Sequence, residues 1–178
     1  MQHVGKRSTP STLRLLGIVV VAVIFVFFLV MAIGTRDLLW FWPSFDAQPD
    51  AIIVRCYGET LEVDPESTAF QELVEALSQG LWGMKHWTEL SLSYSTLQLY
   101  RYYEDTFVLE FIYNSPIRIH SHYRFFKNVD TLLVPFVGRH AGTYPIFGLR
   151  RGTPLAGSLH LETSDPLLDI VSGHGICP

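Results

Sequence analysis

The stretch that decides the architecture is Leu15–Ile33, LLGIVVVAVIFVFFLVMAI, which runs for 19 residues without a charged side chain or a proline. As an α-helix it is about 28 Å long, close to the hydrocarbon thickness of a bilayer. A helix on the surface of a soluble core carries a polar stripe, and this stretch has none. The sequence therefore predicts one transmembrane helix over residues 15–33, which makes the lipid bilayer the first partner of the chain.

The charges that flank this helix predict its orientation. Lys6, Arg7 and Arg14 precede it, and no acidic residue occurs before Asp37. Positively charged flanks stay on the cytoplasmic side. We therefore expect residues 1–14 to be a cytoplasmic tail and the C-terminal part to lie outside the cell membrane, as in a single-pass protein.

An aromatic segment follows the predicted helix. Trp40, Phe41, Trp42 and Phe45 lie within a dozen residues of its end, and amphipathic rings favour the headgroup layer. Residues 34–45 are therefore expected to form an interfacial linker that Pro43 closes, and residues 46–178 an extracytoplasmic globular domain.

A cleaved secretory signal is the alternative interpretation of the N-terminus. Ala32-Ile33-Gly34 offers small residues where a signal peptidase cuts, after a basic beginning. Against this, the apolar run is longer than the usual signal, and interfacial aromatics suit a chain that stays attached. Both interpretations export the domain.

The pattern of residues 46–178 predicts an α+β domain, a curved antiparallel sheet with one main helix packed on it. The helix is expected from Asp64 to Gln79, with Asp64 as N-cap and Pro65 in the first turn. A shorter helix is expected from Ser164 to Val171. Strands are expected at Ala51–Tyr57, Thr60–Val63, Leu97–Tyr103, Thr106–Tyr113, Ile117–Phe126, Thr131–Val137 and Ser158–Thr163.

Charge is unevenly distributed within this domain. Residues 46–110 have a balance of −9, whereas residues 114–153 have a balance of +5. Either the two segments neutralise each other across the fold, or the second forms a basic face for an anionic partner. Nucleic acid is disfavoured as a partner, because the domain is acidic overall and lacks a nucleic-acid-binding motif.

The most suggestive constellation is the alternation Arg118, His120, His122 and Arg124, which places four side chains on one face of a strand. Such a strip is suited to an anion, or it is a solvated strand face. His120 and His122 can also bind zinc, with a third ligand from His140, His160 or Glu162. The flanking arginines oppose a cation, so no metal site is predicted here.

The glycine-rich segment 138–152 adds Arg139, Arg150 and Arg151 to the basic residues that can bind an anion. It lacks the spacing of a nucleotide-binding loop, and we expect long connecting loops with one short strand between residues 138 and 157. Pro135 cannot donate a ladder hydrogen bond, so its strand is expected at an edge or to end there.

Cys56 and Cys177 are the two cysteines of the chain. Export makes a disulfide between them chemically possible. Alternatively, Cys56 is an ordinary buried thiol on the apolar face of its strand.

No catalytic or cofactor-binding motif is present, and we predict no cofactor. The sequence favours a non-catalytic binding or assembly module at the outer membrane surface, whose partner is an envelope protein or an anionic ligand. A metal-dependent hydrolase centred on His120 and His122 is the alternative, and it requires a third ligand and a nearby carboxylate.

Overall fold

The computed structural model describes residues 12–42, 45–82, 86–120 and 126–177. The described part begins with helix α1, Thr12–Thr35, whose 24 residues are mostly apolar and almost all exposed. By length and composition this helix is able to cross a membrane. The remainder forms one antiparallel sheet with helices on both faces, which confirms the predicted α+β class.

The sheet has eight strands, in the order β2-β1-β4-β5-β6-β8-β3, with β7 paired to β6. Their bounds are β1 Ala51–Cys56, β2 Glu59–Val63, β3 Trp87–Thr88, β4 Phe107–Arg118, β5 Lys127–Val137, β6 Pro145–Arg150, β7 Thr153–Pro154 and β8 Ser158–His160. All pairings are antiparallel. The first hairpin turns at Tyr57 and Gly58, both with positive φ, as a two-residue type I′ loop requires.

Helices α2 (Thr68–Leu81) and α4 (Asp165–Gly173) cover one face of the sheet. The buried residues of α2 recur at helical spacing and are Ala69, Phe70, Leu73, Leu77 and Leu81. They pack against alternate residues of the central strands, such as Leu109 and Phe111. This large cluster is the main core of the domain.

The opposite face of the sheet is covered by helix α3, Tyr94–Tyr102. Leu97 and Tyr100 of this helix pack on Val108, Leu133 and Phe147 in a second, smaller core. The sheet is therefore the middle of three layers. The prediction of a strand at Leu97–Tyr103 is therefore wrong.

A buried ion-pair network fastens α3 to the sheet. The Glu110 carboxylate on β4 is 1% exposed and accepts hydrogen bonds from Arg55 of β1 and Arg101 of α3, each at 3.0 Å. Arg101 binds both carboxylate oxygens of Glu110. The contact therefore fixes the orientation of the Arg101 side chain as well as its distance from Glu110.

The N-cap predicted for the main helix is wrong. Helix α2 begins after Ser67, whose Oγ accepts from Phe70 N–H at 3.2 Å, and not after Asp64. Asp64 instead accepts from Glu66 N–H in a turn ahead of the helix. Both residues are good caps, and the one that lies three residues before the buried Phe70 takes the role.

Strand β5 is not an edge strand, contrary to the prediction from Pro135. It lies between β4 and β6, but its pairing with β6 ends at Leu133. On the other side Pro135 is opposite Val108, next to a register shift. Proline is tolerated inside the sheet here because the ladder is already interrupted.

The segments around residues 117–126 and 138–157 also differ from expectation. Strand β4 ends at Arg118, and residues 121–125 lie outside the described part of the chain. The glycine-rich segment contains two strands, β6 and β7, and a short 3-10 turn at Ala141–Thr143, where one strand was expected.

Candidate functional site at the end of the N-terminal helix

Helix α1 ends in a tight reversal at Arg36 and Asp37. Arg36 N–H donates to Ile33 O at 3.3 Å, and Asp37 N–H donates to Ala32 O at 3.1 Å. These two bonds define a Schellman motif, in which one residue adopts the left-handed conformation usually taken by glycine. Arg36 has this role with φ of 52°. The chain therefore turns back on the helix at once.

The reversal places the carboxylate of Asp37 against the domain. Its side chain is 3% exposed and accepts from His120 Nδ1 at 2.9 Å and from Leu39 N–H at 3.0 Å. Arg118 approaches the same carboxylate with Nη1 at 4.0 Å and donates from this atom to Arg36 O at 3.4 Å. A residue just after the helix is thus bonded to His120, 83 residues later and two residues beyond the end of β4.

Electrostatics keep this carboxylate charged. Burial alone would raise the pKa of Asp37, but the hydrogen bonds from His120 and Leu39 and the charges of His120 and Arg118 outweigh burial. The pKa of Asp37 therefore lies below its usual value. Asp37 is an anion at neutral pH and balances part of the positive charge around it.

Lys127, the first residue of β5, completes a cluster of charged residues at the end of α1. We call this cluster the junction, and its members are Arg36, Asp37, Arg118, His120 and Lys127. It is opposite Arg118 in the β4–β5 ladder, and its Nζ is shielded from solvent. Within the described residues, this Nζ has no hydrogen-bond partner. Burial and the positive charge of Arg118 lower the pKa of Lys127, whereas Asp37 opposes that shift. The junction is therefore richer in positive charge than Asp37 alone balances.

The aromatic segment folds back along α1. Trp40 contacts Phe27 edge-on with ring centroids 6.2 Å apart, and Phe41 contacts Phe28 in the same manner at 5.9 Å. Phe45 was expected at the membrane boundary as well, but it is buried in the main core. Pro43 lies outside the described residues. The ring contacts hold the linker against the last turns of the helix.

The predicted anion-binding residues divide between the two ends of the sheet. Arg118 and His120 lie at the junction, while His122 and Arg124 fall outside the described residues. Because β4, β5 and β6 are antiparallel, Arg150 and Arg151 lie at the same end of the sheet as Arg118. Arg139 follows the other end of β5.

The residues considered as further zinc ligands have other surroundings. His140 Nδ1 bonds to the Tyr100 hydroxyl at 3.0 Å, and His160 Nε2 bonds to the Thr88 hydroxyl at 2.8 Å. Glu162 lines a groove of about 310 Å³ between α2 and α4. Among the described residues, no three histidine, cysteine or acidic side chains are grouped as a metal ion requires.

The two cysteines meet at the end of β1. Cys56 is buried on the apolar face of the strand, and Cys177 packs on the same core. The thiols are not joined, but Cys177 is hydrogen-bonded to Cys56. Burial, this hydrogen bond and the nearby Cys56 and Glu59 raise the pKa of Cys177 to about 12.

Comparison with known proteins extends the description of the fold. No family model matches the chain. No curated protein matches it either. Among solved structures, it is similar to YycH from Bacillus subtilis, with a TM-score of 0.51 and 13% sequence identity. The likeness is one of fold. The similarity covers 75% of this chain and 40% of YycH, so the chain spans less than half the length of that protein. The N-terminal apolar helix, and not the likeness of fold, is the feature that supports a membrane-anchored protein.

Sequence reasoning missed three members of the junction, namely Arg36, Asp37 and Lys127. Asp37 carried a usable signal, because it is the first acidic residue of the chain and directly follows the apolar run. Its partners are distant in sequence, and only the folded sheet brings them to it. Lys127 carried no signal beyond its charge.

Proposed function

We propose that the chain is a single-pass membrane protein whose extracytoplasmic domain is a non-catalytic binding or assembly module docked on its own anchor. The observation that carries this proposal is the contact of Asp37 with His120 and Arg118. A domain joined to its membrane helix by a flexible linker needs no such contact. Here the first residues after the helix are part of the folded structure.

The charges favour a cytoplasmic N-terminus. Lys6, Arg7 and Arg14 flank the start of the apolar run, whereas Arg36 at its end is adjacent to Asp37. Residues 1–14 then form the cytoplasmic tail and residues 46–178 the extracytoplasmic domain. Its partner is an envelope protein or an anionic ligand that contacts the basic end of the sheet.

The junction also favours an anchor that is retained over a signal that is cleaved. Ala32 is buried, and its carbonyl accepts the Asp37 N–H that closes the reversal. Cleavage after Gly34 would remove that acceptor and the phenylalanines on which Trp40 and Phe41 pack. The structure of the junction therefore depends on residues that cleavage would discard.

Protease accessibility and intact mass test both parts of the proposal. Protease added to intact spheroplasts should digest the domain and leave an N-terminal fragment that contains residues 1–33. An epitope placed before Met1 serves as the control and should be lost only after lysis. A domain that is digested only after lysis would reverse the orientation, and a mature chain that begins at Thr35 would show that the anchor is removed.

A further inference from the structure

We propose that Arg36, Arg118 and Lys127 form a binding site for the phosphate of an anionic phospholipid headgroup. The proposal rests on the proposed function, because it requires α1 to lie in a bilayer with the junction at its surface. It adds a ligand class and a residue, Lys127, that the sequence pattern did not indicate.

The first argument is the state of Lys127. Its Nζ is shielded from solvent, and no group among the described residues accepts a hydrogen bond from it. An ammonium group without solvent or an acceptor is costly to bury. The Lys127 residue as a whole is only partly buried, so a rotation of its side chain would bring Nζ to an oxyanion at the exposed Arg118. A phosphate has several oxygens that would supply the missing acceptor.

The second argument is the balance of charge. Asp37 is the carboxylate at the junction, and its oxygens already accept from His120 and from Leu39 N–H. Arg118 lies at the 4.0 Å limit of an ion pair with it. Mutual repulsion between Arg118 and Lys127 also depresses the pKa of Lys127. An added anion would relieve this repulsion, whereas a metal cation would increase it.

The third argument is position. Arg36 directly follows the last residue of α1 and is exposed, and Arg118 is 45% exposed, so the cluster opens to the surroundings. Trp40 and Phe41 lie along the last turns of the helix, at the level where aromatic rings meet headgroups. A lipid phosphate is the anion present at this level at high density. A guanidinium can also bind it through two parallel hydrogen bonds.

Lipid binding by the full-length chain in detergent tests the inference. Native mass spectrometry would count bound phosphatidylglycerol, with phosphatidylcholine as the lipid of zero net charge. Each basic residue near an anionic lipid strengthens binding about five-fold, so replacing both Lys127 and Arg118 with Ala should weaken phosphatidylglycerol binding about 25-fold. Arg139→Ala removes an exposed charge from the other end of the sheet and should leave binding within about two-fold.

Three results separate the outcomes. Lys127→Arg should retain phosphatidylglycerol binding if the site needs a cation. Equal binding of both lipids by the unaltered chain, or equal losses in the double variant and in Arg139→Ala, would overturn the proposal. Displacement of the lipid by millimolar glycerol phosphate would show a phosphate site without preference for lipid, and would overturn the lipid assignment alone. Because detergent imposes no sidedness, these outcomes are independent of the protease experiment.

Discussion

At the scale of single residues, Asp37 is the group on which the junction depends. Arg118 and His120, from a distant part of the chain, and the neighbouring Leu39 N–H converge on one buried carboxylate. If the carboxylate were lost, His120 Nδ1 and Leu39 N–H would lose their acceptor and Arg118 its nearby negative charge. Buried donors without acceptors are destabilising. Asp37 therefore determines whether the domain contacts the end of the helix or is joined to it only through the linker.

Replacing Asp37 with Asn should destabilise the full-length chain by about 1.5–3 kcal/mol, the usual contribution of hydrogen bonds to charged groups. Urea unfolding in detergent, followed by tryptophan fluorescence, measures the change. Asp46→Asn, which alters an exposed carboxylate nearby, is the matched control. Equal effects of the two substitutions would contradict a special role for Asp37.

The same comparison has a defined pH dependence. The pKa of Asp37 is lower in the folded chain, so its contribution is complete above the unfolded carboxyl pKa and is lost as pH falls toward the folded value. The stability difference between the chain and its Asn variant should therefore shrink below about pH 4.

The cysteine pair provides the second prediction at this scale. In an oxidising compartment, thiol–disulfide exchange with an oxidising disulfide should join Cys56 to Cys177, with the two electrons passing to the incoming disulfide. Closing a loop of roughly 120 residues should stabilise the domain by roughly 4–5 kcal/mol in the loop-entropy description. The high pKa of Cys177 makes its thiolate scarce, so the exchange should be slow.

Alkylation and unfolding measure this prediction. Iodoacetamide added in urea, which exposes buried thiols, should not label either cysteine of the chain isolated from membranes until reductant is added. Reductant should then lower the stability of the unaltered chain and leave Cys177→Ser unchanged. Immediate labelling of both thiols would show that they are free in the cell.

At the scale of elements, α3 is attached chiefly by Glu110 and the small core beneath it. Replacing Glu110 with Gln leaves two half-buried arginines without a counterion and should cost about 3–5 kcal/mol in unfolding free energy. Hydrogen exchange should accelerate first in α3, because Arg101 is its link to β4. Glu62→Gln on exposed β2 is the control, and a loss no larger than that of the control would contradict the role of the network.

The contrast between α2 and α3 shows which elements the sequence can predict. Five buried residues of α2 recur over fourteen positions, so its period is unambiguous. Helix α3 has nine residues and buries mainly Leu97 and Tyr100, while Leu99 and Tyr102 are exposed. A leucine and tyrosine pattern this short fits a strand equally well. The Ser93 cap, which accepts from Thr96 N–H at 3.1 Å, was the local signal that favoured a helix.

The candidate site was predictable only in part, for a different reason. Alternation along residues 118–124 identified Arg118 and His120 but implied a strand face without partners. The actual surroundings of His120 come from Asp37, which is brought to it by the reversal after α1. Contacts between residues this far apart depend on how the sheet is ordered, and no local pattern encodes them.

At the scale of the whole molecule, the ion pairs of the described residues leave the charge asymmetry of the domain in place. The ion pairs among the described residues link Asp37 to Arg118 and His120, Glu110 to Arg55 and Arg101, and Glu72 to His174. Within that part of the chain, none connects the acidic segment 46–110 to the basic segment 114–153. The interpretation in which the basic end of the sheet faces an anionic partner therefore stays a proposal.

The reversal at Arg36 and Asp37 also determines how the molecule moves. A domain on a flexible linker adopts many heights and tilts above a membrane. Most of its collisions with a partner then present the wrong surface to that partner. With α1 in a bilayer, the bonds at the junction would restrict the tilt and height of the domain. The domain would then move mainly by lateral diffusion and by rotation about the membrane normal. Encounters with a neighbour in the same bilayer then become a two-dimensional search with one rotational variable. The frequency of these encounters depends on the surface density of the chain more than on its bulk concentration.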